Sequence, residues 1–177
     1  MTSGPASDSI GLRPATRADV ERLVRFNRAM AWETERRTLD PERLRQGTLA
    51  VFEQPSRGFY VVAEAATTPA QVVGQMLVTF EWSDWRNATF WWMQSVYVDP
   101  AWRRRGVFRR FYHYVLAEAR RRKDVCGFRL YVDTYNQTAQ RVYAHLGLTR
   151  STYLVYEEDF VLSTRAEGSQ QSVDATP

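Results

Sequence analysis

The stretch TFWWMQSVYVDPAWRRRGVFRRFYHYVLAEA, residues 89–119, constrains the fold more than any other part of the chain. It opens with strand-favouring residues over 89–98, halted by Asp99-Pro100. After a short loop, Gly106 opens a segment with helical period. On a helical wheel Val107, Phe108, Phe111, Tyr112, Val115 and Ala119 share one face, and the arginines mostly take the other. A helix so closely tied to an apolar strand must pack on the sheet containing that strand. The chain therefore reads as a mixed α/β domain around a single sheet.

The flanking segments agree. GLRPAT reads as a short opening strand, and Thr16 with Asp19 forms an approximate capping box for a helix over Arg17 to about Glu35. A second helix starts after Asp40, with Pro41 in its first turn, and runs to about Phe52. Strands follow at 59–65, 72–82 and 89–98. The central helix spans Gly106 to about Lys123, and GFRLYVD (127–133) is a strand. A helix over Asn136–Leu146 carries Ala139, Val142, Tyr143 and Leu146 on one stripe and stops at Gly147. TYLVYEEDFVL supplies one or two closing strands. Residues 1–9 and 163–177 are small, polar and aperiodic, so they read as disordered ends of a single domain over 10–162.

Composition narrows the functional classes. No apolar run is long enough for a membrane span, and MTSGPASDSI lacks the apolar stretch of a signal peptide. Cys126 is the only cysteine, which excludes an internal disulfide and fits a cytoplasmic setting. With only His113 and His145 beside it, no metal-ligand pattern emerges, so no metal is expected. The net charge of +4 is unevenly spread: nine basic residues and one acid lie between Ala101 and Lys123. Such a zone attracts a polyanion, either nucleic acid or a phosphorylated small molecule.

Three features carry chemistry. In the first, a strand, a loop and a glycine lead into a helix whose free N–H groups and about half a positive charge make an anion site, deepened by arginines. The same arginines could equally form a solvated helix start. In the second, Asn136 and Tyr143 are seven residues apart, which places them on one helix face about 10 Å apart. A tyrosine there is otherwise a packing residue. In the third, Trp82, Trp85, Trp91 and Trp92 lie beside Glu81 and Asp84, while Glu33 and Glu35 end the first helix. Indoles beside carboxylates suit an ammonium group, or else the indoles cover the sheet. Strand alternation sends Trp91 and Trp92 to opposite faces.

Arg103-x-x-Gly106-x-Phe108 after V-x-V-D-P, followed about 30 residues later by Asn136-x-x-Ala139-x-x-x-Tyr143, resembles the paired signatures of the GNAT superfamily of acyl-CoA-dependent N-acyltransferases. The departure is Phe108, where the family pattern has a small residue. The resemblance implies a mostly antiparallel sheet of six to seven strands, splayed at the cofactor site and flanked by about four helices. It implies acetyl-CoA as co-substrate, its pyrophosphate held by the loop Arg103, Arg104, Arg105, Gly106, Val107, Phe108 and Arg109. Val96, Tyr97 and Val98 would pair with the pantetheine arm, and Asn136, Ala139 and Tyr143 would complete the cofactor site. It also implies direct transfer without a covalent acyl-enzyme.

Acyl transfer to an amine needs a neutral nucleophile, an oxyanion donor and a proton for the departing thiolate. An alkyl amine with pKa about 10.4 is less than about 0.1% neutral at pH 7, so a base contributes several kcal/mol. Glu81 is the favoured base and Glu33 the second. A backbone N–H near Tyr97 or Val98 would serve the oxyanion, and Tyr143 would protonate the thiolate. Glu33, Glu35, Glu81, Trp82, Asp84 and Trp85 form the expected acceptor pocket for a small-molecule amine. Two other readings remain: an acyl-CoA sensor without turnover, and a nucleic-acid-binding module. The second is disfavoured because Phe108, Phe111 and Tyr112 fall on the buried face, where they cannot stack on bases. Exposed strand edges in such a fold would permit a homodimer.

Overall fold

The computed structural model describes residues 9–162. The expected disorder of residues 1–8 and 163–177 lies outside the described residues. The chain divides into two compact units, Met1–Asn136 and Gln137–Pro177, and no helix among the described residues is long and apolar enough to cross a membrane.

The first unit is a five-stranded sheet in the order β1-β2-β3-β4-β5: β1 (Ile10–Pro14), β2 (Phe59–Ala65), β3 (Gln71–Ser83), β4 (Ala88–Val98) and β5 (Val125–Leu130). The first four strands pair antiparallel, and β5 joins β4 in parallel. Its helices are α1 (Val20–Glu35), α2 (Pro41–Glu53) and α3 (Val107–Arg120). The start of α1 is prepared by Asp19, whose carboxylate accepts the Thr16 N–H at 2.7 Å and the Arg13 guanidinium at 2.8 Å. At α2 the Asp40 side chain accepts the Arg43 N–H at 2.7 Å, with Pro41 in the first turn.

Each face of the sheet has its own core. Leu23 of α1 packs with Tyr60 and Val62 of β2, joined by Val51, Phe52 and Leu77. On the other face α3 buries Val107, Phe111, Tyr112, Val115 and Ala119. Trp91 is buried at the hub of an aromatic group there, with ring centroids 5.2 Å from Phe59, 6.0 Å from Phe80 and 6.4 Å from Phe128. Gly74 packs closely beneath α3: a Cβ there would stand 3.1 Å from the Tyr97 carbonyl and 3.4 Å from the Phe111 ring, tighter than ordinary contact. The sequence-derived face of α3 is therefore correct except at Phe108, which is only half-buried.

The second unit holds α4 (Gln137–His145). The mixed α/β architecture is the expected one, but among the described residues the sheet has five strands rather than six to seven. Residues 152–162 form no strand: Tyr153, Leu154, Val155, Tyr156 and Phe160 are all exposed. Strand propensity there is local, whereas a strand exists only when an edge accepts its ladder of hydrogen bonds. None of the described strands does so.

Phe111 is fully buried against the sheet, so Phe111→Ala is expected to cost about 3–5 kcal/mol, measured by urea unfolding.

Candidate functional site

The site is built where β4 parts from β5. Their pairing ends at Met93 with Leu130, although β4 runs five residues further. At this point β4 also bulges: Gln75 lies opposite Tyr97 and Leu77 opposite Gln94, so Ser95 and Val96 together face the single residue Met76. Ser95 takes a left-handed φ of 46°, a conformation that costs a non-glycine residue about 1 kcal/mol or more.

A buried amide holds that bulge. Gln75, fully buried on β3, donates from Nε2 to the Ser95 carbonyl at 3.1 Å and to Asn27 Oδ1 at 2.6 Å. Asn27, buried on α1, also bonds the Tyr60 hydroxyl, which Thr48 bonds as well; burial nevertheless pushes that hydroxyl above its usual value. Beyond the bulge, the Asp99 N–H donates to the Val73 carbonyl at 2.9 Å. Antiparallel alternation then turns the Val98 N–H to the opposite edge of β4, which no described strand covers.

Next to this edge, residues of α1 and β4 enclose a cleft of about 280 Å³ lined by Met30, Glu33, Thr34, Val96, Tyr97, Val98 and Arg103. Glu33 accepts the Tyr97 hydroxyl at 2.7 Å and the Arg103 guanidinium at 2.6 Å. Burial opposes ionisation of Glu33, but those hydrogen bonds and the charges of Arg103 and Arg36 outweigh it and hold the carboxyl below its ordinary value. Burial and the adjoining carboxylate push the Tyr97 hydroxyl up to about 12. Arg103 also donates to the Val98 carbonyl at 2.9 Å. Its guanidinium is thus turned back onto α1 and β4.

The backbone of the loop is shaped to meet an anion. Arg104 (φ 63°) and Gly106 (φ 73°) are left-handed, and Gly106 caps α3. The N–H groups of Gly106, Val107 and Arg109 have no intrahelical acceptor. A Cβ on Gly106 would meet nothing within 4 Å, so there is room beside the backbone at that residue. Room, orphan amides and the helix dipole together fit a pyrophosphate.

The residues expected around the acceptor separate into two groups. Glu81 accepts the Trp92 indole N–H and, at 2.5 Å, the Arg129 guanidinium. Arg129 lies 3.9 Å over the Phe90 ring, and Trp92 lies 4.4 Å from Tyr131. Trp82, Asp84 and Trp85 stand apart at the hairpin turn, where Trp85 is 86% exposed and Asp84 accepts the Trp85 N–H at 2.8 Å. Glu35 makes only a loose 3.8 Å contact with Arg37. Asn136 is exposed and immediately precedes α4 instead of opening it. Ala139 and Tyr143 lie within α4, and burial pushes the Tyr143 hydroxyl above its usual value. Among the described residues, no group of three or more His, Cys, Asp or Glu could hold a metal ion.

Gln75, Asn27, Arg129 and Tyr131 were not singled out by sequence reasoning. For Gln75 a signal existed, a lone amide inside the apolar run VVGQMLV. Arg129 and Tyr131 gave none, because their partners come from other strands.

A family model described as the acetyltransferase (GNAT) family matches residues 20–148. Among solved structures, a possible acetyltransferase from Clostridium difficile 630 is 36% identical, with TM-score 0.77, covering 86% of this chain and 98% of that one. A predicted acetyltransferase with acetyl-CoA from Clostridium acetobutylicum is 15% identical, TM-score 0.69, covering 85% and 96%. The aminoglycoside N-acetyltransferase AAC(6')-Iy in complex with CoA is 13% identical, TM-score 0.70, covering 90% and 100%. The last two likenesses concern the fold alone. No curated protein matches the chain.

Replacing Gln75 by Leu leaves the Ser95 carbonyl and Asn27 without their donor, so Gln75→Leu is expected to destabilise by about 1–3 kcal/mol. Urea unfolding checks the cost, and faster amide exchange across residues 95–98 checks its location.

Proposed function

Because the chain belongs to the GNAT family of acetyl-CoA-dependent acetyltransferases, we propose that it moves the acetyl group directly to a primary amine of a small molecule. The observation that carries this reading is the uncovered edge of β4 beyond Met93, beside a helix start with orphan amides. Acetyl-CoA supplies the acetyl group as a thioester. The amides of Gly106, Val107 and Arg109 hold its pyrophosphate, and Val96–Val98 align its pantetheine arm.

Within that arrangement a backbone N–H on the uncovered edge just past the β4 bulge is the oxyanion donor. Glu81 is the base: each of its oxygens already accepts one donor and keeps a second lone pair for the amine proton or a bridging water. Glu33 is less suited, because Tyr97 and Arg103 hold it below its ordinary value and weaken it as a proton acceptor. Its role is to brace Tyr97 and Arg103 against α1. The acid is Tyr143, whose hydroxyl burial keeps protonated through neutral pH. A thiolate is a stronger base than the thioester sulfur it replaces, so the proton is needed only as the sulfur departs.

The test is a mass-spectrometric screen of amines with acetyl-CoA, in which one acceptor gains a single acetyl group. Tyr143→Phe is expected to lower kcat by about 10²-fold or more while acetyl-CoA affinity, read by calorimetry, changes far less. The acid form is lost as pH rises through a raised value, so the wild-type rate should hold through neutral pH and decline only above the ordinary tyrosine range.

A further inference from the structure

Of the four carboxylates that sequence reasoning offered around the acceptor, the two favoured ones are already neutralised. Glu33 is bound by Arg103 at 2.6 Å and Glu81 by Arg129 at 2.5 Å. A polycationic acceptor needs an excess of acid, and these two carboxylates offer none: each brings its own arginine. The Glu81–Arg129 pair is still reachable, with its side chains 39% and 36% exposed. Arg129 uses only Nη1 on Glu81, and no described residue accepts from Nε or Nη2. Its guanidinium carbon lies 3.9 Å from the Phe90 ring centroid and 5.9 Å from that of Trp92, and the adjacent donors Nε and Nη2 suit a planar, bidentate anion.

We propose that the acceptor is an α-amino acid: its carboxylate is held by Arg129 and its amine is presented to Glu81. This inference rests on the amine-acetylating reading above and names its substrate class. The two protein charges are in direct contact, so the ligand's two charges must be neighbours as well. That condition is met when the amine and the carboxylate share one carbon, and not when a long chain separates them. The apolar part of the ligand finds the Trp92–Tyr131 pair, where Tyr131 is 58% exposed. The protons balance: the ammonium loses one to Glu81 or its water, the neutral amine forms the C–N bond as the thioester C–S bond breaks, the thiolate takes a proton from Tyr143, and the second proton shed by the amide nitrogen passes through water to restore that tyrosine.

The experiment compares kcat/KM for phenylalanine, methionine and leucine with their carboxamides, with 6-aminohexanoate and with spermidine. At least one α-amino acid should exceed its own carboxamide and 6-aminohexanoate by about tenfold or more. In Arg129→Gln the acid-over-amide ratio should collapse to near unity, with acetyl-CoA binding by calorimetry reporting that the variant is folded. A carboxamide, 6-aminohexanoate or spermidine used as well as the best α-amino acid overturns the inference and leaves the amine reading standing. An undiminished ratio in the folded variant does the same. If none of these amines is acetylated although acetyl-CoA binds, the inference and the broader reading fail together. The wild-type comparison decides the matter even if the variant does not fold.

Discussion

The hydrogen bond from the fully buried Gln75 to the Ser95 carbonyl is the interaction on which the rest of the site depends. A primary amide in an apolar core is costly unless its groups are bonded. Here its Nε2 is bonded twice and ties β3, α1 and β4 together at one point, while its buried Oε1 has no partner among the described residues. The left-handed Ser95 is held there, and β4 leaves the register that keeps it beside β5. Without the bulge, the strand would continue its ladder and present no free edge. The Tyr60–Asn27–Gln75 chain is therefore less a stabilising network than a means of specifying where the sheet opens.

Electrostatics divides the site into two parts with different logic. At the helix start, backbone amides and the helix dipole provide positive potential, while Arg103 is withdrawn to Glu33 and Val98. On the sheet face, charge is balanced pairwise by Glu81 and Arg129. An anionic carrier and an acceptor of balanced charge can thus sit side by side without one region spoiling the other. The exposed arginines around the loop add long-range attraction for the carrier, which salt screens.

What could be read from the sequence follows the range of the interactions involved. The strand, loop and helix over residues 89–119 were legible because glycine chemistry, helical period and the Asp99-Pro100 stop are all local. Alternation correctly separated Trp91, in the core, from Trp92, on the face with Glu81. The bulge was not legible, because its cause lies in residues 27 and 75, distant in sequence from Ser95. Arg129 escaped notice for the same reason, since its partner Glu81 is 48 residues away. The closing strands failed in the opposite direction: TYLVYEEDFVL has the local propensity but no described edge to pair with.

The central claim, that the parted edge of β4 and the start of α3 receive acetyl-CoA, is tested most directly by hydrogen–deuterium exchange with and without that molecule. The account predicts slowed exchange at two segments, the amides of Val96–Val98 and those of Gly106–Arg109, with the hairpin turn at Asp84–Arg86 unchanged. Protection elsewhere with both segments unaffected, at acetyl-CoA concentrations that saturate binding, would contradict it.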